Sequence, residues 1–365
     1  MNYPKPKQIP VDLEHHGIKR VDEYRWLQEK DNPEVIAHIE AENAYVADWM
    51  VDTEDLQQQL YREMRSRVVE AQESLHVWHR EYAYFSRTFE GKEYAAYYRV
   101  DREGVEECLL DGNVEAEGKN FWDLGDLEVS LSEKLLAYSV DETGDEYYTI
   151  FVRDLKSGEI LREIPKVTTS GLIFEQDEQS ILYVRADKTH RPYQVCRMDI
   201  ASGKEEVLFE EPDERFFVGI DMSRDERTLY IQVGSKMTTK LYWREFGDPE
   251  AEFVPVLEPR EGHRFDAVRY PEFWLILSNR DEKQNGQIWK LAAGKDYWTE
   301  AELLISEYPD YEFEGLDEFQ DFAVIYRSGR ASQEMDILDV NTWETRQVEF
   351  ESAAHSVSGY EVFDF

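Results

Sequence analysis

Cysteine and long apolar runs are both nearly missing from this 365-residue chain. Its two cysteines, Cys108 and Cys196, are too few and too far apart in sequence for a disulfide framework or a metal-binding knuckle. No apolar run approaches the length of a membrane-spanning helix, and no apolar core follows the polar N-terminus as a secretory signal would require. We therefore expect a cytoplasmic, reduced protein that has no membrane partner.

Basic residues are also outnumbered. The chain has 41 Lys and Arg against 79 Asp and Glu, a formal net charge of −38. Nucleic-acid binding needs clustered Lys and Arg, so we expect no nucleic-acid partner. The negative excess is compatible both with attraction of cationic ligands and with simple solubility or adaptation to salt. An apolar fraction of 41% is sufficient for a packed core.

The sequence contains none of the common catalytic motifs. There is no Gly-x-Ser-x-Gly elbow, no zincin pattern and no phosphate-binding glycine loop. His76 and His79 are three residues apart but lie where strand structure begins, and His15-His16 lies in a polar segment, so neither pair is expected to bind a metal. The prediction is no catalytic residue, no cofactor-binding residue and no metal ligand.

Carboxylates are too abundant for any pair to be singled out. Asp111-x-Asn113-x-Glu115 begins like a calcium loop, but Ala116 occupies the position that requires glycine. The run from Asp141 to Glu146 is predicted to be a solvated turn. The pairs Glu205-Glu206 and Glu210-Glu211 are predicted to be solvated as well.

A repeated sequence pattern occupies the rest of the chain. Each copy has an apolar strand, a charged turn, and a second strand in which apolar and polar residues alternate. The step between copies is about 45 to 55 residues, which is typical of propeller blades. Six copies occur, at Tyr82–Phe85 with Tyr94–Val100, Leu135–Gly158, Ile181–Val184 with Tyr193–Gly203, Thr228–Val233 with Lys240–Phe246, Phe273–Leu277 with Gln287–Gly294, and Phe322–Tyr326 with Met335–Thr342. One such unit cannot bury its apolar face alone, so the pattern predicts an all-β protein, a β-propeller. A stacked β-sandwich is the alternative.

The N-terminal part differs from the repeats. Residues 1–31 are polar and predicted to be irregular, with Tyr24, Trp26 and Leu27 as anchors. Asn32 and Pro33 then predict a helix start, and Thr53 predicts a second one. The two helices, 33–50 and 53–69, each carry an apolar stripe, at Val35, Ile36, Ile39, Val46, Trp49 and Met50, and at Leu56, Leu60, Met64 and Val68. We expect an N-terminal helical segment at 1–71 and a β-propeller domain at 72–365.

The chain is predicted to stop inside a repeat. The sixth copy ends near Phe350, and Val357 to Phe365 looks like the first strand of a seventh. The propeller is therefore expected to be truncated in its last blade.

Several segments together resemble the prolyl oligopeptidase family, specifically its oligopeptidase B branch. The resemblance spans nearly the whole chain and is densest over residues 15–220. It is carried by Arg20–Leu27, Asp31–Val35, Glu40–Tyr45, Tyr84–Thr88, Glu90–Tyr94, Leu109–Asn113, Ala137–Asp141, His190–Tyr193, Asp213–Val218 and Ser278–Asn279.

This resemblance implies a seven-bladed propeller that caps an α/β-hydrolase domain with a Ser-Asp-His triad, in a peptidase that cleaves short peptides after Lys or Arg. No position of this chain matches a triad residue, so the catalytic domain is expected to be absent and the chain alone inactive. The N-terminal helices would pack on that hydrolase domain, their natural partner. Short, basic peptides would be the ligands of the propeller.

Two other functions stay open from the residues alone. A stand-alone propeller that binds a protein or peptide without chemistry is one, because fold does not fix function. A glycosidase propeller is the other, and it would need two aligned carboxylates on the axis. A hydrolase segment with Gly-x-Ser-x-Gly encoded downstream of Phe365 would favour the peptidase interpretation.

Overall fold

In the computed structural model, residues 3–352, 355–357 and 359 are described. They form two compact units, one up to residue 70 and one from residue 71 onward. The predicted seventh first strand at 357–365 lies outside the described residues except for 357 and 359. Among the described residues, no helix combines the length and apolar character needed to cross a membrane.

The first unit begins with a β-hairpin that the sequence interpretation missed. Strands β1 (Val11–His15) and β2 (Ile18–Asp22) pair antiparallel, with His15 opposite Ile18. The two turn residues, His16 and Gly17, have φ values of 54° and 77°, as a two-residue hairpin turn of right-handed twist requires. The prediction of an irregular segment was wrong here, because the alternation of Val11 and Leu13 with polar residues covers only one short strand and β2 shows no such alternation.

A buried tryptophan anchors the segment between the hairpin and the helices. Trp26 lies in a short 3-10 helix, Arg25–Gln28, and its indole Nε1 donates to the Lys7 carbonyl at 2.8 Å. Of the two other predicted anchors, Tyr24 is exposed and Leu27 is partly buried.

Two helices follow, close to the predicted positions. Helix α1 (Pro33–Met50) begins after Asn32, whose side-chain oxygen accepts from the Glu34 amide at 2.9 Å, as predicted for a cap. Helix α2 (Glu54–Arg65) follows a 3-10 turn, Val51–Thr53, and ends four residues before the predicted 69. The Thr53 hydroxyl donates to the Met50 carbonyl and does not cap α2.

The apolar stripes of these helices remain largely uncovered. Val35 is buried, whereas Ile36, Ile39 and Trp49 are 44%, 50% and 71% exposed. On α2 the stripe is exposed at Leu56, Leu60 and Met64.

The described part of the second unit forms six antiparallel four-stranded units, the blades. In each blade the chain order of the strands is also their order in the sheet, and blades 2 and 3 share one sheet. The strands are β3 Val77–His79, β4 Tyr82–Arg87, β5 Ala96–Asp101, β6 Glu106–Asp111 (blade 1), β7 Asp123–Val129, β8 Leu135–Asp141, β9 Tyr148–Asp154, β10 Ile160–Phe174 (blade 2), β11 Ser180–Ala186, β12 Pro192–Asp199, β13 Glu205–Glu210 (blade 3, with β10), β14 Phe217–Met222, β15 Thr228–Gly234, β16 Thr239–Glu245, β17 Val254–Pro255 (blade 4), β18 Phe265–Arg269, β19 Phe273–Ser278, β20 Gln287–Ala292, β21 Glu302–Ile305 (blade 5), and β22 Glu312–Glu318, β23 Phe322–Gly329, β24 Ser332–Asp339, β25 Thr345–Gln347 (blade 6). Short helices α3 (Gly112–Glu115) and α4 (Tyr297–Glu300) lie in connections.

The six predicted repeats coincide with the two middle strands of the six blades, so the propeller prediction is confirmed. The first and fourth strands went unassigned because they are short or irregular.

Blades 2 and 3 are joined in a way that the others are not. Strand β10 pairs with β9 along its first half and with β11 along its second half. Val167 takes part in both ladders, opposite Tyr148 and opposite Arg185. Blades 2 and 3 therefore form one seven-stranded sheet.

Buried apolar side chains fill the seams between consecutive blades. Burial at about 25 cal/mol per Å² makes these interfaces the main source of stability. Each of five clusters contains residues of two consecutive blades; examples, in order along the chain, are Leu110 and Leu136, Ile150 and Ile181, Val184 and Ile231, Leu241 and Ile276, and Leu275 and Ile325.

Polar contacts supplement these cores. Glu133 and Glu178 occupy equivalent left-handed positions in the first hairpin turns of blades 2 and 3. Glu133 accepts from the Tyr84 hydroxyl of blade 1, and Glu178 accepts from the Ser132 hydroxyl of blade 2 at 2.6 Å. Each turn glutamate thus binds the preceding blade.

Candidate binding site on the propeller axis

The first strands of blades 2 to 6 surround a cavity of about 640 Å³, and His79 of blade 1 completes its wall. Because the first strand of a propeller blade is the innermost one, this cavity lies on the propeller axis. Its lining contains seven carboxylate residues and a single arginine, Arg224. The carboxylates are Asp126, Glu128, Asp221, Glu226, Asp266, Asp317 and Glu318.

A β-bulge directs Asp126 into this space. The pairing of β7 with β8 shifts between Leu124 and Leu127, which leaves Gly125 and Asp126 outside the regular ladder. The Asp126 amide instead donates to the Ser139 hydroxyl at 2.8 Å. A Cβ on Gly125 would lie 2.5 Å from that same hydroxyl, so the bulge requires glycine.

The protein environment raises the pKa of two axial carboxyls. Burial raises the pKa of Asp126 to about 6, with only a partial offset from the Gly171 backbone. Burial also raises the pKa of Asp266, and the neighbouring Asp221 and Asp317 carboxylates raise it further. The Asp266 side chain is open to cavity water, but the surrounding blades keep bulk solvent away from it. Ionisation of either carboxyl is therefore less favourable in free energy in the folded protein than in water.

The other carboxylates near blade 6 are held by hydrogen bonds. The Arg224 amide donates to Glu318 Oε1 at 2.9 Å, and the Tyr326 hydroxyl donates to Asp317 Oδ2 at 2.8 Å. The Arg224 guanidinium stacks over Phe319 at 4.5 Å. Burial raises the pKa of Glu318.

At the turn end of the cavity, a contact joins blade 4 to blade 1. Glu226 occupies the same left-handed turn position as Glu133 and Glu178, but it binds His79 at 2.7 Å and Arg80. Burial alone would raise the pKa of Glu226, and the hydrogen bonds from His79 and Arg80 lower it. These hydrogen bonds connect blade 4 to blade 1, which are not consecutive blades.

The histidines considered in the sequence do not form a metal site. His76 binds Glu73 at 2.9 Å and stacks on Phe85, whereas His79 binds Glu226. No group of His, Cys, Asp or Glu suited to a metal ion occurs in the described part of the chain.

The calcium-like segment has a structural role. Asp111 Oδ1 accepts from the Asn113 amide at 2.9 Å and caps α3, and the Asn113 side chain binds the Tyr94 backbone.

The prediction of solvated carboxylates was wrong at two residues, Asp141 and Glu211, and held for Glu142, Asp145 and Glu146 of the same turn, which are exposed. Asp141 is only 2% exposed, because the amides of Thr143, Gly144 and Glu146 all donate to it, and its pKa is lowered although burial opposes this. Glu211 is buried and binds the Lys240 ammonium. Glu205, Glu206 and Glu210 are exposed, as predicted.

The axial carboxylates were missed in the sequence. Asp221 and Asp266 each interrupt a short apolar strand just before a repeat, whereas Asp317 lies in a strand with three glutamates. That interruption was an available signal, but 79 acidic residues concealed it.

Fold and cavity together define a β-propeller domain with an acid-lined axis. Residues 4–362 match the family model described as prolyl oligopeptidase, N-terminal beta-propeller domain, and the chain belongs to this family. The resemblance to the prolyl oligopeptidase family is thereby confirmed.

Named relatives agree with this assignment. The chain is 31% identical over 290 residues to Protease 2 of Moraxella lacunata, covering 76% of this chain and 42% of the relative. It is 28% identical over 346 residues to Dipeptidyl aminopeptidase BI of Pseudoxanthomonas mexicana, covering 88% and 48%. The chain thus spans less than half the length of these relatives.

Solved structures support the same fold. Oligopeptidase B from Trypanosoma brucei, with covalently bound antipain, aligns with a TM-score of 0.88 at 23% identity, over 96% of this chain and 54% of that one. Oligopeptidase B from Leishmania major aligns with a TM-score of 0.89 at 22% identity, with the same coverage.

Proposed function

We propose that this chain is the substrate-gating propeller of an oligopeptidase B-like serine endopeptidase that hydrolyses short peptides after basic residues. The observation that carries the proposal, beyond family membership, is the axial cavity with its seven carboxylate residues and one arginine. A negative channel of this kind raises the local concentration of cationic substrates.

Gating follows from the packing of the blades. Buried side chains fill the five seams from blade 1 to blade 6, and the axial cavity of about 640 Å³ holds a few residues of an extended peptide but no folded domain. Size therefore selects short peptides, and charge selects basic ones.

Catalysis would come from a hydrolase domain acting by Ser-His-Asp chemistry. In this proposal, residues 1–71 are the segment that packs on that domain, and residues 72–365 are the propeller. The exposed side chains of Ile36, Ile39 and Trp49 supply an apolar surface for such a partner. The chain by itself is inactive.

The proposed compartment is the cytoplasm. Cys108 and Cys196 are free thiols, and burial raises the pKa of both, that of Cys196 to about 11. Thiols with raised pKa values react slowly, as suits a protein whose function uses no thiol chemistry.

The first test is an assay of the purified chain on a short peptide that ends in an arginine-linked fluorogenic amide. We expect no turnover. Turnover that a serine-directed inhibitor blocks would contradict the proposed inactivity.

A chimera tests gating directly. Joining this chain to the part of Moraxella Protease 2 that it does not match should give an enzyme that cleaves the arginine peptide. The same sequence inside a folded protein should resist it. Equal cleavage of both substrates, or preference for a neutral peptide, would refute the gating role.

A further inference from the structure

The first hairpin turns of three blades meet at one end of the axial cavity. Each turn joins the innermost strand of its blade to the second strand, β3 to β4 in blade 1, β14 to β15 in blade 4, and β22 to β23 in blade 6. Residues of these turns, or of the strand ends beside them, line the cavity. Because every blade repeats the same meander around the axis, the turns that follow the innermost strands lie at the same end.

An ion pair at this end joins blade 4 to blade 1. Glu226 binds His79 Nε2 at 2.7 Å and the Arg80 guanidinium, and the three side chains are only 16% to 28% exposed. Burial opposes the charge of Glu226, but the two hydrogen bonds lower its pKa, so the carboxylate is ionised at neutral pH. Such a charge-assisted contact is stronger than a hydrogen bond between neutral groups.

The same turn of blade 4 also contacts blade 6. The Arg224 amide donates to Glu318 Oε1 at 2.9 Å, and the Arg224 guanidinium lies 4.5 Å from the centre of the Phe319 ring. Glu318 is the last residue of β22, and Phe319 follows it. Blade 4 is thus tied at this end to blade 1 and to blade 6, neither of which is its neighbour.

Hydrogen bonds within the turn hold its shape. The Ser223 hydroxyl donates to Asp225 Oδ1 at 2.6 Å and accepts from the Thr228 amide at 2.9 Å. The Glu226 amide donates to the Ser223 carbonyl at 2.8 Å, and Ser223 is only 3% exposed. A turn of fixed shape presents Arg224 and Glu226 to their partners in one arrangement.

The equivalent glutamates of blades 2 and 3 have a different role. Glu133 and Glu178 occupy the same left-handed turn position as Glu226, but each contacts the preceding blade. Neither of them lines the axial cavity in the described part of the chain, whereas Glu226 does. Stabilisation of a seam between neighbours therefore explains Glu133 and Glu178 but not Glu226, whose contact crosses the axis.

We propose that the blade 4 turn, residues 223–227, is a latch across one end of the axial cavity, and that the contact of Glu226 with His79 and Arg80 is its releasable part. The inference rests on the proposed function in that peptides would use the axis as their route, and it adds where entry is controlled. An ion pair suits release because both charges regain water when they separate, which offsets much of the lost attraction.

The labelling rate of a cysteine inside the cavity tests the latch. Gln232 of β15 is exposed, lines the cavity, and lies opposite Gly219 in the middle of β14, away from the turn. Gln232→Cys in a Cys108→Ser background supplies the probe, because Cys108 is exposed and Cys196 is buried. The reagents are N-ethylmaleimide and a maleimide that carries a neutral polyethylene glycol chain. The ratio of the two rates removes any change in thiol reactivity.

Glu226→Ala removes the contact with blade 1. It should raise the labelling rate of the large reagent, relative to the small one, by about fivefold, the factor expected when one hydrogen-bonded contact is lost from the closed state. The matched control Glu178→Ala changes the equivalent turn of blade 3 and should leave the ratio unchanged. Arg80→Glu should also raise the ratio, and Arg80→Glu with Glu226→Arg should restore it, because the exchanged charges attract again.

An unchanged ratio in Glu226→Ala, or an equal rise in Glu178→Ala, would overturn the latch. If Glu226→Ala fails to fold, Arg80→Glu and the exchanged pair provide the same decision, and equal ratios in those two variants would overturn the latch as well. Labelling needs no peptide cleavage, so its failure is distinguishable from failure of the proposed function, which the chimera assay measures.

Discussion

At the scale of single residues, Asp126 is a carboxyl whose ionisation opposes folding. Its pKa rises from an ordinary 3.8 to about 6 in the folded chain. Between these values the folded state holds a proton that the unfolded state has released, so its contribution to stability falls as pH rises.

Asp126→Asn should therefore gain stability relative to the unchanged chain as pH increases from 4 to 7. The shift of about two pKa units corresponds to about 3 kcal/mol at most, and cavity water reduces this to about 1 to 2 kcal/mol. Urea unfolding followed by tryptophan fluorescence at several pH values measures the gain. A difference that is constant across this range would show that the carboxyl ionises normally.

The sequence revealed the residues that act locally and concealed those that act at a distance. Asn32 as a cap was predictable because its partner, the Glu34 amide, is two residues away. Asp141 was misjudged because three amides within five residues bury its charge, a nest that composition alone does not reveal. Asp126 and Asp266 belong to different blades, and only the arrangement of the blades around the axis places them in one cavity.

At the scale of elements, glycine at one position allows strands of neighbouring blades to approach. Gly171 on β10 has a φ of 120°, and a Cβ there would lie 2.4 Å from the Ile220 carbonyl of β14. Gly315 on β22 has no positive φ and faces open space.

Gly171→Ala should lower the free energy of unfolding by about 2 to 4 kcal/mol. The positive φ disfavours any residue with a Cβ, and the added Cβ would clash with the backbone of β14. Gly315→Ala is the matched control and should change it by less than about 1 kcal/mol. Chemical denaturation of the two variants decides between them. Similar losses would mean that the approach of β10 to β14 is not tight.

Element types were predicted best where apolar periodicity was strong. Second strands such as β8 and β15 are buried on both faces over most of their length and read as nearly continuous apolar runs, and the third strands alternate. Strands β1 and β2 are exposed on both faces, so their hairpin depends on the His16-Gly17 turn and left little hydrophobic signal.

At the scale of the whole molecule, the apolar stripe of α1 is an exposed surface that a solitary chain has to tolerate. Trp49 is 71% exposed and Ile39 is 50% exposed. Exposed patches of this kind promote association.

We expect the chain to self-associate at high concentration, and Ile39→Glu with Trp49→Glu to suppress this without changing propeller unfolding. Ala37→Glu with Ala44→Glu adds the same charge to the opposite side of the helix and serves as the control. Sedimentation velocity measures the effect. If the control variant alone, or both variants equally, suppressed self-association, net charge and not the apolar stripe would be the cause.

The strand shared by blades 2 and 3 has a mechanical consequence. Strand β10 runs without a break from blade 2 into blade 3, and its two ladders meet at Val167. At the other described junctions a loop separates the last strand of one blade from the first strand of the next. A loop can absorb a change in the angle between two blades, whereas a paired strand resists bending. If the ring widens, blades 2 and 3 therefore move together and the loop-linked junctions take up the strain. The axis would then open asymmetrically, on the side of blades 4, 5 and 6.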